Sequence, residues 1–127
     1  MATLFFYGTL CHEPLLRIVL GRRSPAQLQP AHLEDHAVTW AEGEPFPMIR
    51  PATGQRAEGV LVDWVTPQDR ARLDFYEGGF GYSLEPCEVE TETGPRAAQV
   101  FFPEAGADTP GAPWSLADWA RDWAEMS

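Results

Sequence analysis

Phe5-Phe6-Tyr7-Gly8-Thr9-Leu10 is the stretch that decides the fold of this chain. Residues 3–7 form a short apolar run ended by Gly8, the pattern of a fully buried strand in the middle of a sheet. From residue 12 to residue 20, Leu15, Leu16, Val19 and Leu20 recur at helical spacing. Pro14 suits a first helical turn and Gly21 suits a C-terminal stop. The helix therefore starts directly after the turn at residues 7–10, and its N-terminal amides point back toward that turn. Unpaired N–H groups at a strand-to-helix junction can hold a carboxylate or a polarised carbonyl. The alternative is a strand end that merely turns, with Tyr7 a core tyrosine whose hydroxyl is satisfied.

Outward from this stretch, residues 26–43 carry broken alternation with Pro30, and read as two strands or one bent strand. Pro45-Phe46-Pro47 forces an extended or turned segment before Met48 and Ile49. Residues 56–65 read as a strand in which Gly59 allows a bulge or a close approach. Thr66, Pro67 and Asp69 form a helix start with a capping-box-like pair, and the helix runs to about Tyr76 before Gly78, Gly79 and Gly81 stop it. Residues 82–92 and 96–102 are two strands joined by the turn signal Thr93-Gly94-Pro95, a hairpin. Residues 103–113, rich in Gly, Ala and Pro, read as a loop. Ser115 caps a last helix whose Leu116, Trp119, Ala120 and Trp123 share one face, expected to dock on the sheet. The whole is an α+β arrangement with a mixed, strongly curved sheet.

The 127 residues suit one domain, spanning 1–127, with residues 102–127 as loop and docking helix. A composition 44% hydrophobic and 22% charged belongs to an ordered globular chain. The net charge of −10 makes nucleic acid and anionic membranes poor partners. All nine basic residues are arginine, which excludes Schiff-base chemistry and a P-loop lysine. Cys11 and Cys87 have no metal-site spacing and read as two reduced thiols, although the sequence alone also allows a bridge. The absence of a leader-like start and of a long apolar run leads to the expectation of a cytoplasmic protein.

Glu77 closes the helix that begins at Thr66. The negative end of a helix dipole and partial burial both disfavour an ionised carboxylate and push its pKa upward. The glycines that follow let a ligand approach the backbone. The plain alternative is a solvated glutamate beside a glycine stop. Asp74 is placed to brace the Glu77 loop by accepting from backbone amides. Arg17, Arg22, Arg23 and Arg50 are candidates to meet a substrate carboxylate. His12 is close to the turn and reads as a helix-start histidine beside solvent. His32 and His36 are four apart, a metal spacing only on a helix, and they sit in a strand-like segment.

Taken in order, two segments resemble the γ-glutamylcyclotransferase-like (AIG2-like) superfamily. Tyr7-Gly8-Thr9-Leu10 is similar to that family's Y-G-[ST]-L turn. Leu73-Asp74-Phe75-Tyr76-Glu77-Gly78, followed by Tyr82, is similar to its L-D-x-[YF]-E-G…Y segment, and Phe46-Pro47-Met48 resembles the aromatic-Pro-apolar strand between them. The resemblance implies a small mixed β-barrel flanked by helices. It implies conversion of a γ-glutamyl amide to 5-oxoproline and a free amine or amino acid, with no cofactor and no metal. Glu77 falls on the family's general acid/base. The backbone of Tyr7, Gly8, Thr9 and Leu10 would bind the substrate, and Tyr82 would line the pocket. Two departures, Leu84 where many relatives have arginine and Cys11-His12-Glu13 after the turn, support a different reading. In it the chain is a non-catalytic ligand-binding or regulatory module, part of a larger protein with a Nudix-type domain. Oligomeric state is not readable from the sequence.

Overall fold

A computed structural model describes residues 2–22, 28–43, 46–78, 82–103 and 110–126, the last five of these and Gly78 by backbone alone. Its strands are β1 (Ala2–Phe6), β2 (Gln29–Ala41), β3 (Pro47–Val65), β4 (Tyr82–Thr91), β5 (Gly94–Pro103) and β6 (Pro110–Pro113). Its helices are α1 (Glu13–Leu20), α2 (Pro67–Gly78) and α3 (Leu116–Met126), with a 3-10 turn at Thr9–Cys11 before α1.

β1 lies between β3, antiparallel with Phe6 opposite Val60, and β5, parallel with Phe5 opposite Val100. The order β3-β1-β5-β4-β2 closes on itself because β2 also pairs with β3, which makes a five-stranded mixed barrel. Closure removes the two free edges a five-stranded sheet would otherwise expose. The continuous apolar run of β1 follows from this position, because both of its faces are covered. Leu4 and Phe6 pack with Leu16 and Leu20 of α1 and Leu73 of α2. Phe5 and Tyr7 point the other way, into an interior that also holds Leu33, Ile49, Val89 and Val100. Gly59 sits where β3 crosses the end of β1, and a Cβ there would lie 2.1 Å from the Phe6 carbonyl oxygen and 2.8 Å from the Phe5 ring. The close approach expected at Gly59 is therefore real, and only glycine allows it.

Local chemistry sets the helix ends. Gly21 closes α1 with φ 72° and donates its N–H to the Arg17 carbonyl at 2.8 Å. At the start of α2, the Thr66 N–H donates to Asp69 Oδ2 and the Asp69 N–H donates to Thr66 Oγ1, both at 3.1 Å, a complete capping box. Ser115 Oγ accepts from the Asp118 N–H at 3.2 Å and caps α3.

The second strand takes one of its two expected forms, and three other elements depart from the sequence expectations. Residues 29–41 form one bent strand, kinked at Asp35, whose φ of 58° is tolerated by a short polar side chain that accepts from the Gly54 N–H at 2.9 Å. β3 is 19 residues long rather than a strand beginning at Arg56, and its extra length wraps the barrel past that kink. The expected loop at 103–113 ends in β6, which adds to the outside of β2 with Thr39 opposite Pro113; prolines fit an outer strand because they need donate nothing there. The rest of that loop, residues 104–109, lies outside the described residues. α3 makes its main contact with the 3-10 turn rather than the sheet, and Trp119 packs edge-on against His12 at 5.3 Å. The Trp123 side chain lies outside the described residues, as do Gly79, Phe80 and Gly81.

Candidate active site

The pocket at the barrel mouth is built where β1 ends. Tyr7 still points inward and is 6% exposed, and its hydroxyl donates to the Phe101 carbonyl at 2.9 Å. Gly8 then turns the chain with φ −113° and ψ −138°, and a Cβ there would come within 3.0 Å of the Pro47 ring. The following 3-10 turn uses the N–H groups of Cys11 and His12, which donate to the carbonyls of Gly8 and Thr9 at 3.0 Å. The amides of Gly8, Thr9 and Leu10 precede that ladder and are not used by it.

Helix α2 reaches the same place from the other side. Tyr76, on its last turn, shares a hydrogen bond with Thr9 Oγ1 at 2.9 Å, which ties the helix end to the turn. Glu77 follows and lines the pocket with Tyr7, Gly8, Thr9, Leu10 and Tyr82. Tyr82 is held by donating its hydroxyl to the Pro47 carbonyl at 2.6 Å, and its ring meets Phe46 edge-on at 6.1 Å. Glu77, Tyr82 and the Tyr7–Leu10 turn thus converge on one cavity with Phe46 and Pro47, and it is lined too by three residues that sequence reading did not assign to a site: Phe5, Phe6 and Phe101. Their only signal was membership of apolar strands, and barrel closure decides which of those strand residues meet at the mouth. The cavity has a volume of about 20 Å³, room for about one water molecule.

Electrostatically the pocket is poor in cations. Burial pushes the Glu77 carboxyl up to about 8. The Tyr7 hydroxyl is raised well above its ordinary value, by burial first and then by the charge on Glu77. Tyr76 is raised too, chiefly by burial, against the opposing hydrogen bond from Thr9. None of the arginines described lines the cavity. Arg17 pairs with Glu13 at 3.3 Å, and Arg22 Nε donates to Asp69 Oδ1 at 3.0 Å. Arg50 reaches only the Pro51 carbonyl, and Arg23 is outside the described residues. Asp74 is exposed and faces Arg70 one helical turn away at 3.7 Å, and the loop it was expected to brace, residues 79–81, lies outside the described residues. The His32 ring meets Glu34 Oε1 and His36 Nδ1 donates to the Glu34 carbonyl, each at 2.8 Å. Among the described residues no three His, Cys, Asp or Glu side chains are gathered as a metal site would need. Cys11 and Cys87 are both free thiols, and no described helix is long and apolar enough to cross a membrane.

A closed mixed barrel with a strand-end turn and a helix-end carboxylate at its mouth defines a class, and comparison with known proteins identifies it. The model of the γ-glutamyl cyclotransferase, AIG2-like family matches residues 4–121, and the chain belongs to that family. A solution structure from Arabidopsis thaliana superposes with a TM-score of 0.75 at 20% identity, covering 98% of this chain and 84% of the other. A protein described as a gamma-glutamyl cyclotransferase gives a TM-score of 0.73 at 15% identity, covering 95% and 79%. An AIG2-like protein of Mus musculus gives 0.68 at 20% identity, covering 91% and 86%. At such identities the structural likeness speaks for the fold. No curated protein matches the chain in sequence.

Proposed function

We propose that this protein is a γ-glutamylcyclotransferase-type enzyme that converts a γ-glutamyl amide to 5-oxoproline and a free amine, with Glu77 as general acid/base. The observation that carries this reading is the shared cavity: one desolvated carboxyl group faces the turn at residues 8–10. The α-ammonium of the substrate passes a proton to the Glu77 carboxylate, and the freed nitrogen attacks the γ-carbonyl carbon. The new C–N bond closes a five-membered ring and places negative charge on the carbonyl oxygen. The amides of Gly8, Thr9 and Leu10 hold the α-carboxylate and this oxygen. Collapse breaks the bond to the leaving nitrogen, which takes the proton back from Glu77. The attacking nitrogen's second surplus proton follows the same route, so the enzyme ends as it began.

The raised pKa suits the task. A carboxyl near 8 matches an α-amino group, whose ordinary value is also about 8, so proton exchange between them is nearly thermoneutral. Attack within one molecule carries an effective concentration of about 10⁵ M or more once aligned, which leaves the protein only alignment and proton transfer to supply. Tyr7 and Tyr82, with their hydroxyls committed to main-chain carbonyls, serve as rigid walls rather than acids. Two free thiols suit a reducing compartment, the cytoplasm.

A second reading rests on the departures at Leu84 and Cys11-His12-Glu13, together with a pocket that no described arginine lines. In that reading the chain binds a γ-glutamyl ligand or 5-oxoproline without turnover. Incubation with a panel of γ-glutamyl amino acids and amines, followed by assay of 5-oxoproline, separates the two. Product from wild type and none from Glu77→Gln supports the enzyme. Binding by calorimetry without product supports the module.

A further inference from the structure

We propose that the groove adjoining Tyr7 receives the leaving group, and that this leaving group is an apolar amino acid; the inference rests on the γ-glutamyl reading above. Tyr7 is the shared wall. It lines the small cavity that contains Glu77 and also a separate groove of about 510 Å³ that reaches across β2 and β3 to the start of α3. The volumes assign the parts: about 20 Å³ admits little beyond the reacting atoms without movement, whereas ligand sites commonly measure about 300–1,000 Å³.

The chemistry of the groove narrows its occupant. Val38, Val60, Trp114 and Leu116 give it apolar walls. The Trp114 indole is fixed, because its backbone N–H donates to the Val38 carbonyl at 3.2 Å and its ring stands edge-on to Trp40 at 6.3 Å. Arg56 contributes a cation on the same wall, with Glu58 two residues along. An apolar side chain satisfies the walls, and a carboxylate beside it satisfies the guanidinium. Both belong to an apolar amino acid released from its γ-glutamyl amide. Glu58 disfavours a second acidic group, so γ-glutamyl derivatives of acidic amino acids are poor occupants.

The test measures 5-oxoproline release from γ-glutamylleucine, γ-glutamylglycine and the γ-glutamyl amide of isopentylamine, which keeps the leucine chain and lacks the carboxylate. We expect kcat/KM for γ-glutamylleucine to exceed that for γ-glutamylglycine about 10- to 100-fold. This ratio falls to about threefold or less in Trp114→Ala, and also in Val38→Phe, which fills the groove from the opposite wall if the tryptophan variant does not fold. Arg56→Gln removes the cation and keeps the apolar walls, so it erases the advantage of γ-glutamylleucine over the isopentylamide. Equal kcat/KM across the three substrates, or a leucine-to-glycine ratio unchanged in both groove variants, overturns the proposal. If wild type releases no 5-oxoproline from any of them, the γ-glutamyl reading fails and the groove is judged by calorimetry. Tighter binding of γ-glutamylleucine than γ-glutamylglycine, abolished by Trp114→Ala, then sustains the groove alone, and equal binding overturns it.

Discussion

Helix α2 carries a shielded carboxylate near each end, and the two have been driven in opposite directions. Asp69, in the first turn, is 2% exposed. It accepts from the Arg22 guanidinium and from the Thr66 N–H, and these partners, Arg22 foremost, hold its carboxyl below the usual range. Arg22 is itself held over the Trp64 ring at 5.5 Å. Glu77, in the last turn, sits among aromatic rings, and burial alone raises it to about 8. Both groups have lost water; the difference is that one was given partners. A carboxylate with partners is a bolt in the fold, while one without them stays ready to trade protons with whatever enters.

The strongest way to break this comparison is to neutralise each carboxylate and measure turnover. Glu77→Gln should lower kcat about 10²–10⁴-fold with little loss of folding, whereas Asp69→Asn should leave the kcat of the folded protein within about threefold of wild type. Similar kcat losses in both would erase the distinction. The pH dependence is the next largest effect. Between pH 4.5 and about 8 the folded protein keeps a proton on Glu77 that the unfolded chain has released. Stability therefore falls as pH rises through that window, and Glu77→Gln should be the more stable protein at pH 9, by on the order of 3 kcal/mol, with the gap closing toward pH 4. Denaturant titrations at the two pH values check it.

Asp69 runs the other way. Its contribution is present above the unfolded carboxyl value of about 4 and is lost as pH falls through its lower folded value. Asp69→Ala removes the capping box and Arg22's partner, and should cost about 2 kcal/mol at pH 7, read as a lower denaturant midpoint with an unchanged slope. The smallest effect sharpens the geometry. Tyr76→Phe removes the link between α2 and Thr9, so it should cost about 1 kcal/mol of stability and lower kcat several-fold without moving the pH at which activity rises.

What was legible in the sequence was what local chemistry decides. Gly21 and the Thr66–Asp69 pair announce helix ends because capping involves residues a few positions apart. The run through Phe6 into Gly8 announces a central strand because apolarity on both faces needs cover on both faces. β6 was hidden because its Pro110-Gly111-Ala112-Pro113 has the composition of a loop, and only the outer edge of β2 makes a strand of it. The full length of β3 was hidden by Pro51 and Gly54, which fall where β2 kinks. Most residues lining the cavity could be named, but the sequence left open whether Glu77 is buried or solvated. That depends on Tyr76 finding Thr9 and Tyr82 finding Pro47, contacts that join distant parts of the chain.

The placement of β1 has a consequence for biosynthesis. β1 leaves the ribosome before either of its neighbours, β3 and β5, has been made. Until the β4–β5 hairpin has been made, Phe5 and Tyr7 have no completed interior to enter, and one side of β1 offers unpaired main-chain groups to any passing strand. Barrel closure must wait for β5, and a nascent chain halted before Gly94 should be caught by chaperones or aggregate rather than form a partial barrel.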